Sequence, residues 1–320
     1  LTLSRQTTTG PWWKVGRRAL LLVAFGLLLT GFPRFDPTRW RFTGILPRIG
    51  FCYLLAAVHF RLTASLAGSE DDDGAVPRWW NAQVTVIAAT TVTILIWYWF
   101  VLMKVAPPGG QAGDLTPEGN IGAYYDRLIF GSHLLRRARW DPEGLLSSVP
   151  SVATTLIGVL AGLWVRRPGS PGGKVIPLAA AGTVLFVMGE LWHPWFPINK
   201  QLWTSSYVLL TGGAACIVLA TCMHVIDVRG WRRWSQPFVV LGSNAILLFV
   251  VSGLIGKAFV VWHLNGPDGR PMLVGPWLYT YGIKWMAAPK NASLVYSLVF
   301  LAVMYLMCDV CYRRRLFLKL

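Results

Sequence analysis

The chain has 320 residues, of which 54% are hydrophobic and only 14% are charged. A water-soluble domain carries about 25% charged residues, so this composition excludes an ordinary soluble fold and favours a membrane protein. The net charge of +16 is also found in proteins that bind nucleic acids, but here Lys and Arg fall in short clusters at the ends of apolar segments. That pattern is typical of topology signals and of contacts with phospholipid headgroups. We therefore predict the lipid bilayer as a partner and no nucleic acid.

Eight apolar segments follow one another along the chain, and each approaches the roughly 20 residues that a membrane-spanning helix needs. Because a backbone inside a bilayer must satisfy its own hydrogen bonds, segments of this length are helices. The sequence predicts an all-α fold, a polytopic transmembrane helical bundle of about eight spans in a single membrane domain, residues 1–320. The predicted spans are residues 12–32, 47–67, 79–104, 147–165, 176–193, 203–226, 237–261 and 290–312.

The number of spans and the placement of basic residues predict the topology. An even number of spans puts both termini on one side of the membrane. Short loops on that side hold the denser Lys and Arg clusters, which is the bias that marks the cytoplasmic face. We predict cytoplasmic termini and a long outer loop, residues 105–146. The chain begins at Leu1 without an initiator Met, and we expect a truncated chain that continues upstream.

A first polar motif, WDPEGLLSSVP at residues 140–150, opens the fourth predicted span. In one interpretation Asp141 is the N-cap of the helix and Glu143 an acid in its first turn. In the other, these two carboxylates at the wet mouth of a helix act as a general base or hold a cationic amine. Ser147 and Ser148 favour the second interpretation, because capping does not require them.

A second polar motif, FPINKQLWTSSY at residues 196–207, opens the sixth predicted span. Anchoring at the membrane interface accounts for Lys200 and Trp203, but not for Asn199, Thr204 and Ser205. We interpret Lys200 as neutralising a phosphate or carboxylate, and Asn199 as donating to a carbonyl oxygen. An even number of spans separates the two motifs, so both are predicted on the outer side of the membrane.

Two further features lie inside predicted spans. Asn244 is a buried amide that must be paired, and a hydrogen bond between helices and a contact with a ligand remain alternatives for it. Gly158 and Gly162 form a G-x-x-x-G pattern, which predicts a close contact between helices. No pair of histidines has the spacing of metal ligands, and the lone C-x-x-C at Cys308 and Cys311 has no second pair to complete a zinc site, so we predict no metal.

Four segments, in this order along the chain, resemble the transmembrane heparan-α-glucosaminide N-acetyltransferases and their bacterial relatives associated with N-acetylglucosamine use. They are LPRIG at 46–50, DPEGLL at 141–146, FPINKQLWTSSY at 196–207 and LGSNAI at 241–246. The resemblance implies a bacterial inner-membrane enzyme that moves an acetyl group from acetyl-CoA across the membrane. The amine of a glucosamine-type sugar or glycan is the implied acceptor.

The resemblance also implies roles for individual residues. Asp141 or Glu143 orients or deprotonates the amine, Asn199 and Lys200 engage groups of the sugar or of CoA, and Asn244 contacts the cofactor. The other residues assigned to substrate or cofactor binding are Arg48, Ser147, Trp203, Thr204 and Ser205. In this family a histidine in a segment before the start of this chain is central to acetyl transfer. None of the five histidines here matches it, so none is assigned that role.

Three alternatives to an amino-sugar N-acetyltransferase remain. They are an O-acyltransferase of a surface glycan, a non-catalytic sugar permease or sensor, and a truncated, inactive fragment. Competition between glucosamine and sugars that carry only hydroxyl groups separates the first, and sugar flux without dependence on CoA identifies the second. A homo-oligomer is compatible with the sequence, which leaves the oligomeric state open.

Overall fold

A computed structural model describes residues 11–67, 81–135, 139–286 and 288–318. This described part contains eleven α-helices and one pair of short strands. In chain order the helices are α1 (Trp12–Gly31), α2 (Ile45–Leu62), α3 (Ala82–Lys104), α4 (Ile121–Phe130), α5 (Leu145–Arg166), α6 (Pro171–Trp192), α7 (Ser205–Met223), α8 (Gln236–Ser243), α9 (Ala245–Phe259), α10 (Val274–Trp277) and α11 (Pro289–Arg313). The strands are β1 (His263–Asn265) and β2 (Pro271–Leu273).

A helix occurs at the position of each of the eight predicted spans. Among the described residues six helices, namely α2, α3, α5, α6, α7 and α11, are long and apolar enough to cross a membrane. Helices α8 and α9 are bent by 68° at Asn244 and make a seventh candidate if the pair is one span. Helix α1 carries Lys14, Arg17 and Arg18 in its first two turns. The predicted all-α polytopic fold is confirmed, and the count of eight spans stays a prediction.

The chain divides into two compact units. The first combines the chain up to Leu27 with Arg41–Trp231, and it holds most of α1 and all of α2 to α7. The second combines Leu28–Trp40 with the chain from Arg232 onwards, and it holds α8 to α11 and the strands. The single membrane domain and the cytoplasmic termini remain predictions.

The core of the first unit lies where α3, α5 and α7 pack together. Leu95 of α3, Ala153 of α5 and Val208 of α7 belong to one buried cluster. Helix α3 begins after Asn81, whose side chain accepts a hydrogen bond from the Val84 amide, as an N-cap should. Small side chains such as Ala153 let membrane helices approach closely without a hydrophobic driving force between them.

Helices α6 and α7 approach each other closely. A Cβ atom on Gly213 would lie 2.4 Å from the Phe186 nitrogen and 2.5 Å from the Gly182 oxygen, so the backbones touch where only glycine fits. By contrast, a Cβ on Gly158 or Gly162 would meet no heavy atom within 4 Å in the described part of the chain. The predicted close contact at these two glycines is wrong, because they border an open groove.

The predicted outer loop, residues 105–146, contains the two-and-a-half-turn helix α4. Asn120 caps its start by accepting a hydrogen bond of 2.8 Å from the Ala123 amide. Ile121, Ala123 and Asp126 of α4 are buried, and α4 packs against α5. The loop is therefore a folded cover over the first turn of α5.

In the second unit, β1 and β2 form an antiparallel hairpin in which His263 is opposite Leu273 and Asn265 is opposite Pro271. The Lys257 ammonium of α9 donates to the Leu29 oxygen and, over 3.2 and 3.3 Å, to the Thr30 and Phe32 oxygens. A cation at the carboxyl end of a helix satisfies carbonyl groups that have no partner within the helix. Lys257 therefore has a structural role at the end of α1.

Candidate active site

Arg48 occupies the first turn of α2 and reaches the first turn of α5. Its Nη2 atom donates to the Ser147 hydroxyl and, over 2.8 Å, to the Pro142 carbonyl, while its Nε atom lies 3.3 Å from the Ser148 hydroxyl. The residue is only 7% exposed, and none of the ion pairs of the described chain includes it. Arg48 is thus a buried cation held by neutral oxygens.

The second polar motif meets the same guanidinium. The Arg48 Cζ atom lies 4.9 Å from the centre of the Trp203 ring, within the range of a cation–π contact. The indole nitrogen of Trp203 donates to the Thr154 hydroxyl of α5 over 3.1 Å. The structure therefore brings together three of the predicted site residues, Arg48, Ser147 and Trp203, which lie far apart in the sequence.

Asp141 is enclosed by hydrogen-bond donors. Its Oδ2 atom accepts from Arg41 Nε at 2.7 Å, the Thr43 hydroxyl at 2.6 Å and the Leu135 amide at 3.1 Å. Its Oδ1 atom accepts from Arg41 Nη2 and, at 2.8 Å, from the Glu143 amide. Both oxygens are fully occupied, which suits a clamp between segments better than a base.

The contacts with Arg41 and Thr43 keep the Asp141 carboxyl group ionised. Burial alone would raise the pKa of Asp141, but the hydrogen bonds from Arg41 and Thr43 and the charge of Arg41 outweigh it and lower that pKa. Burial likewise opposes the charge of Arg41, whose pKa is nevertheless raised by Asp141 and Glu143. Asp141 is consequently held as a carboxylate.

Glu143 differs from Asp141 in having a free oxygen. Its Oε2 atom accepts from Arg41 Nη2, and Oε1 makes no hydrogen bond with a described residue. The side chain is 20% exposed, whereas that of Asp141 is fully buried. Of the two predicted carboxylates, Glu143 is the one that remains open to a ligand.

Most polar groups of the second motif are used within the turn that joins α6 and α7. The Asn199 Oδ1 atom accepts from the Gln201 and Leu202 amides. The Thr204 hydroxyl donates to the Pro197 carbonyl over 2.9 Å and accepts from the Asn199 amide. Asn199 and Thr204 therefore shape the turn, which is a role that the sequence did not reveal.

Ser205 and Lys200 lie at opposite extremes of exposure in the same motif. The Ser205 hydroxyl is completely buried and donates to the Leu95 carbonyl of α3 over 2.7 Å. Lys200 is exposed, and its ammonium makes no ion pair with a described residue. Lys200 is thus available to a ligand, and Ser205 ties the turn to α3.

A narrow cleft lies between the two motifs, with a volume of about 10 Å³, which is room for one water-sized group. Ser147 and Asp141 line it from the first motif, and Gln201 and Leu202 from the second. The cleft also contains Asp126 of α4, a buried carboxylate that we did not predict as a site residue. In the sequence, an acidic residue just before the apolar residues 128–130 could have indicated a buried carboxylate. Its burial, however, depends on tertiary packing.

A larger groove runs along α5 and α7 and has a volume of about 460 Å³. Trp203 and Thr154 stand in its wall, together with Gly158, Gly162 and Gly212. Its lining is mainly apolar, so the groove places the Trp203 end of the candidate site beside a hydrophobic surface.

Asn244 belongs to the second unit, where it separates α8 from α9. Its Nδ2 atom donates to the Leu316 carbonyl and its Oδ1 atom accepts from the Leu318 amide, both over 3.0 Å. The amide is 2% exposed, and both of its polar atoms bond to backbone groups of the segment after α11. Within the described residues no group of three or more His, Cys, Asp or Glu side chains is arranged to hold a metal ion.

Comparison with known proteins found two similar sequences, both heparan-alpha-glucosaminide N-acetyltransferases. The one from Mus musculus is 24% identical over 353 aligned residues, which cover 96% of this chain and 49% of the relative. The one from Homo sapiens is 26% identical over 285 residues, covering 74% of this chain and 41% of the relative. The chain thus spans about half the length of the curated relatives it matches. No family model matches it.

Proposed function

We propose that this chain, which the two similarities support as a member of the membrane acetyltransferase family, acts in acetyl transfer to the amine of a glucosamine-type sugar. Acetyl-CoA is the proposed donor, and a bacterial inner membrane with cytoplasmic termini is the proposed location. The observation that carries the proposal is Arg48, a buried guanidinium that forms no ion pair with a described residue and lies where the two polar motifs meet.

Arg48 has the properties of a group that stabilises developing negative charge. A buried cation is costly unless it is paired, yet here its contacts are two hydroxyls, one carbonyl and an aromatic ring. The Nη1 atom makes no hydrogen bond with a described residue. It remains able to donate to the carbonyl oxygen of an acetyl group, on which negative charge builds as an amine attacks.

The two carboxylates of the first motif take different roles in this proposal. Glu143, with one free oxygen, is the candidate to accept the proton that the amine loses. Asp141 holds Arg41 and the segment before α5, and so positions Glu143 rather than touching the substrate. This division follows from the five donors around Asp141.

The second motif is divided in the same way. Lys200, exposed and unpaired within the described chain, is the proposed contact for a phosphate of the donor or for the sugar. Asn199, Thr204 and Ser205 position the turn that carries Lys200 and Trp203. A contact between Asn244 and the donor, also proposed, requires that the C-terminal tail first leave the amide.

The proposal is tested by acetyl transfer in membranes that contain the full natural protein, with acetyl-CoA labelled in its acetyl group. Glucosamine should be N-acetylated, and glucose should not react. Arg48→Lys should slow transfer by about 100-fold, because a lysine cannot reproduce the multiple hydrogen bonds of a guanidinium. Arg139→Lys is the matched control, since the Arg139 side chain is 70% exposed and makes no contact with Arg48.

Two results would reject the proposal in favour of an alternative. Acetylation of sugars that carry only hydroxyl groups would indicate an O-acyltransferase. Sugar uptake that does not depend on acetyl-CoA, with no acetylated product, would indicate a permease or sensor.

A further inference from the structure

Asp126 combines deep burial with an unused hydrogen-bonding oxygen. The residue is 3% exposed, and its Oδ1 atom accepts the Leu145 amide of α5 over 2.8 Å. The Oδ2 atom lies against Gly144, where an added Cβ would come within 1.8 Å of it. No N–H or O–H group of a described residue donates to Oδ2.

The hydrogen bond that caps α5 uses only one of the two carboxylate oxygens of Asp126. One oxygen is sufficient to accept the Leu145 amide, and the neutral amide of Asn does so as well as a carboxylate. The second oxygen remains inside a cleft where no described residue donates to it, although buried polar atoms normally have a partner. A ligand that brings its own donor would satisfy it.

The cleft around Asp126 has the size of a single small group. Its volume of about 10 Å³ fits one water-sized group, such as an ammonium, but not a sugar ring. Trp140 and the exposed Gln201 also line it. An indole and an amide at this position offer a flat apolar surface and hydrogen-bonding groups to a larger body outside the cleft.

The charges around the cleft favour a cation. Two guanidinium groups, Arg41 and Arg48, stand near three carboxylates, those of Asp141, Glu143 and Asp126. Arg41 contacts both Asp141 and Glu143, whereas Asp126 contacts no cation among the described residues. The charge of Arg127 also acts on Asp126, but its guanidinium donates to the Glu118 and Arg139 carbonyls. Asp126 is therefore the one of these three carboxylates that has no cation in contact among the described residues, and a singly charged ammonium would supply it.

We propose that Asp126 binds the amine of the acceptor sugar, with the ammonium group in the cleft and the sugar ring outside it against Trp140 and Gln201. The proposal rests on the proposed function, because it assigns the acceptor subsite of that same reaction. It places the amine in the cleft that Ser147 lines, and Arg48 donates to the Ser147 hydroxyl. The amine and the group that stabilises the acetyl oxygen would then be neighbours.

Binding without catalysis provides the first test. The purified full natural protein in detergent is titrated with glucosamine, glucose and N-acetylglucosamine, with no acetyl donor present. The wild type should bind glucosamine at least about tenfold more tightly than the other two, as expected for one charge-assisted hydrogen bond. Asp126→Asn should remove this preference while keeping the bond to the Leu145 amide.

Asp114→Asn is the matched control. Asp114 lies in the same outer segment, accepts a hydrogen bond from the nearby Thr116 amide and does not line the cleft. Its replacement should leave the preference for glucosamine unchanged. If Asp126→Asn folds and binds glucosamine as tightly as the wild type does, or if the wild type shows no preference for the amine, the proposal is overturned.

A second test needs only the wild type, and so holds even if Asp126→Asn fails to fold. Burial raises the pKa of Asp126 to about 6, helped by the charge of Asp141 and opposed by the Leu145 amide, Arg48 and Arg127. Lowering the pH through 6 should therefore protonate Asp126 and weaken glucosamine binding, while glucose binding stays constant. Binding of glucosamine that is independent of pH between 5 and 7 would overturn the proposal.

The groups that face Asp126 do not titrate in that interval. They are Arg48 of α2, Tyr98 of α3, Asp141 before α5 and Arg127 on α4 itself. Guanidinium and phenol groups titrate far above it, and Asp141 has a lowered pKa.

The two proposals fail separately. Amine-selective binding that depends on Asp126, in a protein that transfers no acetyl group, would leave the amine site intact and reject the enzymatic function. Acetyl transfer to glucosamine with the same KM in Asp126→Asn as in the wild type would support the enzymatic function and reject Asp126 as the amine site.

Discussion

The guanidinium of Arg48 lies over the ring of Trp203, with 4.9 Å between Cζ and the ring centre, and so joins a residue near the start of the chain to one almost two-thirds of the way along it. Trp203 adopts a left-handed backbone conformation with φ of +55°, which is uncommon for a large residue. The turn built by Asn199 and Thr204 maintains this conformation through its own hydrogen bonds. The indole is thus placed on Arg48 by its surroundings.

Trp203→Ala should reduce acetyl transfer about tenfold or more, because a desolvated cation–π contact is worth on the order of 2 kcal/mol. Trp203→Phe, which keeps a ring, should have a smaller effect. The rate of acetylation of glucosamine measures both, with thermal unfolding in detergent as a check on folding. Trp195→Ala is the control, since Trp195 is 69% exposed near the same turn. Equal losses in Trp203→Ala and Trp195→Ala would show that the contact with Arg48 has no special role.

The sequence predicted the participants of this contact but not their tasks. Arg48 was assigned from the resemblance of its segment alone, whereas Ser147 and Trp203 lie in polar motifs at the mouths of apolar helices. The hydroxyls of Thr204 and Ser205 looked equally available, yet both donate to backbone carbonyls. Whether a hydroxyl faces a ligand or its own backbone depends on the path of the turn, which composition does not encode.

Asp126, in contrast, is a candidate site residue that the sequence alone did not indicate. It was not selected because it stands alone, with no second acid or histidine nearby in the sequence. Its burial arises from the packing of α4 on α5 and from the space that Gly144 leaves for its carboxylate. Helix α4 itself was concealed within the predicted outer loop, although Asn120 is a suitable N-cap residue.

Asp141→Asn should destabilise the first unit by about 3 kcal/mol, because removal of one partner leaves Arg41 without its main counter-charge. The lowered folded-state pKa of Asp141 means that its stabilisation is complete above the ordinary pKa and is lost as the pH falls through the folded-state value. The difference in thermal stability between wild type and variant should therefore be largest near pH 7 and should shrink below about pH 4.

Glu118→Gln provides the reference for the loss of an ion pair. Glu118 pairs with Arg139, and both side chains are more than half exposed, so the change should alter stability by less than about 1 kcal/mol. If Asp141→Asn loses no more stability than Glu118→Gln does, Asp141 does not hold Arg41 and the segment before α5 in place.

Gly213→Ala should separate α6 from α7, because the added Cβ would lie 2.4 Å from the Phe186 backbone nitrogen, and backbone cannot move aside as a flexible side chain can. We expect a loss of at least about 2 kcal/mol, as for other overpacked sites. Gly158→Ala is the matched control, since its Cβ would meet nothing within 4 Å and alanine favours a helix by about 1 kcal/mol. Thermal unfolding of both variants measures the contrast, and equal stability of the two would disprove the close contact.

Asn244→Ala should release the C-terminal tail, because the Asn244 amide both donates to the Leu316 carbonyl and accepts from the Leu318 amide. Two backbone groups and the break between α8 and α9 would lose their shared partner. Asn244→Asp keeps the acceptor for Leu318 but removes the donor to Leu316, and should release the tail in part. Limited proteolysis around residues 316–318 measures the release, with the order Asn244→Ala, Asn244→Asp, wild type from fastest to slowest. Ser243→Ala is the control, because the Ser243 hydroxyl bonds only to Val240 in its own helix. Digestion of Asn244→Ala at the wild-type rate would show that other contacts hold the tail, and Asn244 would then be free to meet a ligand.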